Sequence, residues 1–157
     1  MAKILSTHCH FLDCTDISCS FLAAAQSNCA ECTNISFHQI DSAYLEFLSS
    51  DAYDFGFALH VFIHLNAYDI VHYLRDVGRI LKHGGTFLFD ACDLGAQTID
   101  IFREHAELYR SDPTRVRGLL NFNSIGALKT LIQDVGLSLS DRSIIGDSGW
   151  MTLVVTK

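Results

Sequence analysis

The chain holds a single proline, Pro113, among its 157 residues. It has no proline- or serine-rich tract, no internal repeat and no low-complexity segment that would serve as a linker, so one domain over residues 1–157 is expected. Positive charge is scarce: 11 Lys and Arg stand against 18 Asp and Glu, for a formal net charge of −7. No basic cluster is dense enough to follow a phosphate backbone, which argues against nucleic acid as a partner. Long apolar runs are missing too. The longest, around 55–65, is short and interrupted by histidine, so no membrane span is expected. The first residues carry one lysine and then His and Asp where a signal peptide would be apolar. A cytoplasmic protein is the natural expectation. One further absence matters most: no G-x-G precedes the first acid-terminated strand.

What is present is the composition of a folded protein, 49% hydrophobic and 18% charged. Six cysteines stand at 9, 14, 19, 29, 32 and 92. The core is ample without disulfides, which predicts reduced, buried thiols in a cytosol-like compartment. "HCH" (8–10) with Cys14, Cys19 and Cys29-x-x-Cys32 invites a zinc reading. Strong zinc sites show two paired-ligand knuckles, and these residues fall on a strand and a helix face instead, so no metal is expected.

Strand and helix patterns alternate. "HFLDCTDIS" (10–18) reads as a short strand over 11–15 ending at Asp16, with Ser18 able to cap a helix from Cys19 to about Cys32. "NISFHQID" (34–41) is a second strand ending in Asp41, and "YDFGFALHVFIHL" (53–65) begins a third. Asn66 caps a helix whose Ile70, Leu74, Val77 and Leu81 form one apolar stripe. Lys82 and His83 are expected in its last turn and Gly84-Gly85 at its end. A strand over 86–92 and a helix over 97–109 follow, the latter broken by "DPTR" (112–115). Ser124 starts a final helix that Gly136 ends. Strands over 137–145 and 150–156 close the chain as an antiparallel hairpin turning at Asp147-Ser148-Gly149. This order predicts an α/β fold: a Rossmann-like, doubly wound, mostly parallel sheet with a C-terminal antiparallel hairpin strand.

In this order the pieces resemble the class I S-adenosylmethionine-dependent methyltransferases, from that family's second strand onward. Four blocks carry the resemblance: "CTDIS" (14–18), "ISFHQID" (35–41), "YDFGFALHVFIHL" (53–65) and "LRDVGRILKHGGTFLF" (74–89). The last is the most diagnostic, since family members commonly read R-x-L-K-P-G-G there, and this chain has His83 in place of the proline. The resemblance implies S-adenosylmethionine as cofactor. Asp16 would hold the ribose diol, Ile17 would pack on the adenine and Ser18 would lie beside them. Asp41 would accept from the adenine amino group with the backbone of Ser42 nearby, and Leu59 and His60 would line the cofactor's floor. In open α/β sheets ligands bind beyond the carboxyl ends of the strands, where these residues fall. An Asp at a strand end is also a common turn former or helix cap.

His60 and His64 are the candidates for a general base. Against that stand plainer roles, His60 packing on the cofactor and His64 bonding the following helix. The reaction implied is methyl transfer to a small-molecule acceptor, with residues 93–118 shaping the acceptor pocket. The family's first strand and its glycine-rich loop would lie before Met1, so the domain reads as incomplete at its N-terminus. Three arrangements answer that gap: a longer enzyme, a strand supplied by a partner chain or a second copy, or direct pairing of 11–15 with 53–59. The alternative function is a catalytically silent methyltransferase-like module that works as a subunit. A different doubly wound nucleotide-binding protein, one taking a nicotinamide cofactor, is disfavoured by the closing hairpin and "LKHGG".

Overall fold

The computed structural model describes residues 1–114 and 119–157. The chain forms two compact units, Met1–Tyr44 and Leu45–Lys157. The first holds a short helix α1 (Ala2–Leu5), strand β1 (Leu12–Asp16), helix α2 (Cys19–Asn28) and strand β2 (Ile35–Gln39). β1 and β2 run parallel, Leu12 opposite Ile35 and Asp16 opposite Gln39. Asn34 anchors the entry to β2, its Nδ2 donating to the carbonyls of Ser6 and Cys9, both at 2.9 Å. α2 starts at Ser18, whose hydroxyl accepts from the Phe21 amide at 3.3 Å. It ends at Asn28, before Cys32, because Cys29 to Glu31 leave the helix as a turn. Only Cys29, Ile40 and Ala43 are buried among the described residues of this unit.

The second unit carries β3 (Tyr53–Ala58), a 3₁₀ turn (Phe62–His64), α3 (Ala67–Ile80), β4 (Leu81–Cys92), α4 (Ile99–Ser111), α5 (Ile125–Asp134), β5 (Ser138–Leu139), β6 (Ile144–Ile145) and β7 (Trp150–Thr156). Its sheet runs β3-β4-β7-β5, with β6 also on β7. β3 and β4 are parallel, and β7 lies antiparallel to β4 with Asp90 opposite Thr152. The closing hairpin forms as expected, but its first arm is broken into β5 and β6, separated by the turn at Asp141 and Arg142. Gly149 turns the chain into β7 at φ 78°. A Cβ there would lie 2.5 Å from Thr98 Cγ2, so no other residue fits.

The expected stripe of α3 is buried: Ile70, Leu74 and Val77 pack with Phe62, Phe87, Phe89, Leu128, Ile132, Leu153 and Val155 in the core. The rings of Phe62 and Phe89 pack at a tilt of 34° with centroids 4.5 Å apart. α4 has no buried residue, and its Phe102 and Tyr109 are substantially exposed. Asn66 caps α3 through the amides of Tyr68 (2.9 Å) and Asp69 (3.1 Å).

β2 stops at Gln39, so Asp41 lies two residues past the strand and not at its end. α3 stops at Ile80, not at Gly84-Gly85. Leu81 is buried and pairs with Tyr53 of β3, so the chain turns extended there, and Lys82 lies on β4 with its ammonium 2.9 Å from Asp54. Gly84 does take the left-handed conformation, φ 79°, but as a kink between the two pairing segments of β4. Nor do 11–15 and 53–59 pair, since β1 and β3 belong to separate sheets, and β3 has no strand on its outer edge among the described residues. The thiols are also less buried than expected. All six are free, but only Cys29 and Cys92 are buried, while Cys9 and Cys19 are exposed. Arg115, the last residue of the "DPTR" breaker, lies outside the described residues; α4 ends at Ser111 just before it.

Candidate functional site

The first unit presents the carboxyl ends of two parallel strands. Asp16 closes β1 and sits opposite Gln39, and the Ile40 amide donates to the Asp16 carbonyl at 3.0 Å. The Asp16 carboxylate turns back on its own chain, its Oδ1 accepting the Ser18 amide at 2.8 Å. That bond is the turn-forming role an aspartate has at any strand end. It fixes the carboxylate's orientation and leaves Oδ2 without a partner among the described residues. Ile17 between them is 67% exposed, an apolar side chain held in the open by its neighbours. The Gln39 amide reaches across to the Ile17 carbonyl at 3.3 Å. Ser18 acts as the cap of α2. Asp41 and Ser42 are exposed one and two residues past Ile40, the Ser42 hydroxyl donating to Asp41 Oδ1 at 3.0 Å. Asp16, Ile17, Ser18, Asp41 and Ser42 therefore gather at one end of one two-stranded sheet.

Leu59, His60 and His64 lie in the second unit, past the carboxyl end of β3. Leu59 is 41% exposed. His60 holds φ 58°, a left-handed conformation that costs a residue with a Cβ on the order of 1 kcal/mol or more. The cause is Asp90 on the neighbouring strand, whose Oδ2 accepts the His60 amide at 2.7 Å. His64 does not bond the following helix. Its Nδ1 lies 3.2 Å from the Leu119 carbonyl, and its own carbonyl accepts from Asn121 Nδ2 at 2.7 Å. Asn121 and Asn123 bind the segment after α4 to the carbonyls around the 3₁₀ turn, which makes His64 part of the scaffold.

Sequence reasoning missed Asp90. It lies mid-strand in "TFLFDAC", with no turn, glycine or paired motif to mark it. It also missed a half-buried pair in the first unit, where His38 Nε2 lies 2.6 Å from Asp13 Oδ1. An acid at strand position 13 with a histidine on the next strand was the available signal. Burial raises the Cys14 thiol above its ordinary value, with the neighbouring Cys29 adding to the effect. Burial likewise raises Cys92, with Asp93 beside it. Neither is an activated nucleophile. No group of three or more His, Cys, Asp or Glu that could hold a metal occurs among the described residues.

The most diagnostic block proves to be scaffolding. Arg79 of "RDVGRIL" pairs with the buried Asp76 at 3.0 Å and donates to the carbonyls of Leu45 and Leu48, each at 2.7 Å. Asp76 in turn accepts the Leu45 amide at 2.6 Å. The pair ties down the loop that leads into β3.

An acid at the end of β1 and another just past β2, a left-handed turn past β3 and an antiparallel closing hairpin are features of a Rossmann-like α/β fold. Residues 1–85 match the family model for a methyltransferase domain, and the chain belongs to that family. Solved structures agree on a Rossmann-like fold. A Pyrococcus horikoshii protein superposes with TM-score 0.74 at 16% identity, over 99% of this chain and 75% of its own. Magnesium protoporphyrin IX methyltransferase of Synechocystis, solved with bound SAH, gives TM-score 0.70 at 14% identity over 99% of this chain and 68% of its own. A Haloferax volcanii methyltransferase, solved in complex with the Trm112 methyltransferase activator, gives 0.70 at 17% identity over 94% and 71%. No curated relative matches the chain. No helix among the described residues is long and apolar enough to cross a membrane.

Proposed function

We propose that the chain binds S-adenosylmethionine and transfers its methyl group to a small-molecule acceptor. The observation that carries this reading is that Asp16 ends β1 and Asp41 lies two residues past the end of its parallel neighbour β2, so that both acids fall at the same end of one sheet. The residues present fit the nucleoside. Asp16 has one oxygen fixed by the Ser18 amide and one without a partner among the described residues, which suits it to accept from a ribose hydroxyl. The exposed Ile17 offers an apolar face to adenine, with Ser18 beside it. Asp41 accepts an exocyclic amine next to the Ser42 backbone. When bound, S-adenosylmethionine supplies a sulfonium methyl, a donor already activated for displacement. The protein's part is then chiefly to hold and align the two reactants. His64 is engaged with Leu119, so His60, its ring 83% exposed, is the imidazole open to take a proton from the acceptor. Residues 1–157 act as a single methyltransferase-like domain in this reading. The free thiols suit a reducing compartment such as the cytoplasm.

The test is calorimetric titration with S-adenosylmethionine. Asp16→Ala should weaken binding by about 10–100-fold, the loss of roughly 1.5–3 kcal/mol of charge-assisted hydrogen bonding. No measurable binding by the wild-type chain, or equal binding by the variant, would sink the reading.

A second reading is favoured by the outer edge of β3, which no strand covers among the described residues and which presents an exposed Phe55. Such an edge is a template for another strand. A partner chain or second copy pairing there would make this a subunit of a larger assembly, as the activator complex illustrates for a neighbour of the same fold. Light scattering that finds only monomer, alone and in the presence of ligand, would rule out the second copy.

A further inference from the structure

Asp90 combines two features that a merely structural aspartate does not have. It sits on β4 two residues before the strand's carboxyl end, at the ligand-facing edge of the sheet. Its side chain is only 13% exposed. Oδ2 accepts the His60 amide at 2.7 Å and so holds that residue at φ 58°. Oδ1 is buried and accepts no hydrogen bond. A buried carboxylate oxygen without a donor keeps its full desolvation penalty, which is larger for a charged group than for a neutral one. No lysine or arginine compensates it among the described residues. Its one ionic neighbour is the His60 imidazole, whose Nδ1 lies 3.6 Å away, too far for a hydrogen bond. Strain in His60 and an orphaned anion in Asp90 thus coincide at one strand end.

The residues that leave the neighbouring strand ends are apolar and exposed. Leu59 (41% exposed), Val61 (39%) and Leu94 (45%) leave the ends of β3 and β4, and Trp150 (41%) starts β7 opposite Cys92. Sheet register puts Trp150, Thr152 and Asp90 on one face, since directly opposed residues share a face and alternate residues return to it.

We propose that Asp90 is the specificity-determining residue for the methyl acceptor, and that the acceptor is a small molecule carrying a protonated amine on an apolar body. The ammonium donates to Oδ1 and supplies the missing counter-charge, while the apolar body lies against Leu59 and Trp150. The amine is the recognition group, and the assignment leaves open which atom is methylated. It rests on the methyltransferase reading above and deepens it.

The experiment uses the full chain with benzylamine, benzyl alcohol and methyl benzyl ether as probes, read by ligand-observed NMR, and S-adenosylhomocysteine by calorimetry in parallel. Benzylamine should bind at least tenfold tighter than benzyl alcohol, and the ether should bind weakest. Asp90→Asn, which keeps an acceptor for the His60 amide, should abolish the preference for the amine, with thermal unfolding as the folding control. Trp150→Ala should weaken all three probes alike and keep their order, which serves if the Asn variant does not fold. Equal binding of amine and ether to the wild type, or an amine preference that survives in Asp90→Asn, overturns the inference. If S-adenosylhomocysteine binds and no probe does, the assignment of Asp90 fails and the methyltransferase reading stands. If benzylamine binds through Asp90 and S-adenosylhomocysteine does not bind, the methyltransferase reading fails instead.

Discussion

Residues Met1–Tyr44 bury three side chains, Cys29, Ile40 and Ala43, while Leu45–Lys157 bury a continuous cluster from Phe62 to Val155. In the first unit Phe11, Ile17 and Phe21 are all more than half exposed. Its sheet has two strands, and a two-stranded sheet with so little burial is marginal by itself. The second unit has a five-stranded sheet with Phe89, Leu153 and Val155 fully buried along its two central strands. The difference separates two tasks. The residues proposed for nucleoside recognition sit on the lightly packed unit, where local bonds such as Asp16–Ser18 set their geometry. The proposed acceptor end sits on the well-packed unit, whose core can hold a strained His60 and an unpaired Asp90 oxygen.

The sharpest way to break this comparison is to remove the anchor of the second unit. Arg79→Ala leaves Asp76 buried without its cation and frees the loop at Leu45 and Leu48. We expect a loss of about 3–5 kcal/mol in urea unfolding, the cost of an abandoned buried charge. In the first unit Phe21→Ala, at a side chain 70% exposed, should change stability by less than about 0.5 kcal/mol. Native-state hydrogen exchange should show the same division, with β4 and β7 amides opening only with global unfolding and β1 and β2 amides exchanging by smaller openings. Equal protection in both sheets would overturn the division.

Helix caps sharpen the contrast at a smaller scale. Asn66→Ala removes an acceptor shared by two amides at the start of α3, and about 1 kcal/mol should be lost from global stability. Ser18→Ala removes one longer bond from α2. Its effect should be confined to faster exchange of the α2 amides, with the urea midpoint almost unmoved. A global loss equal to that of Asn66→Ala would mean that the first unit unfolds together with the second.

Much of this organisation was legible in the sequence, for identifiable reasons. Ser18, Asn66 and Ser124 are caps because a short polar side chain before an apolar-periodic run has few other uses, and all three cap helices here. The stripe Ile70, Leu74, Val77 is buried because period 3.6 reports a face. The end of α3 was misplaced because Gly84-Gly85 is the stronger local signal. Tertiary pairing of Leu81 with Tyr53 decides the boundary, and no local pattern encodes it. Asp16 could be found because it ends a strand, and Asp41 because it follows one closely. Asp90 could not, because an acid inside an apolar strand is visible as an anomaly only once its burial and its missing partner are known.

The smallest expected effect lies at the rim of the second unit. Asp51 precedes β3 and receives the Lys157 ammonium at 2.6 Å, which also reaches the Leu81 carbonyl at 2.8 Å. That hydrogen bond, with the charge of Lys157, holds the Asp51 carboxyl below its ordinary value. A carboxyl lowered on folding stabilises the protein above its unfolded pKa of about 3.8, and the contribution fades as pH falls through the lower folded value. The pair is solvent-exposed on the Asp51 side, so salt should screen it. In Lys157→Met the Asp51 carboxyl should titrate at higher pH by NMR, while the urea midpoint at pH 7 and high salt stays near the wild-type value. A large loss at neutral pH would mean that the last side chain, through its bond to Leu81, secures the β3–β4 pairing that the buried core is here held to secure.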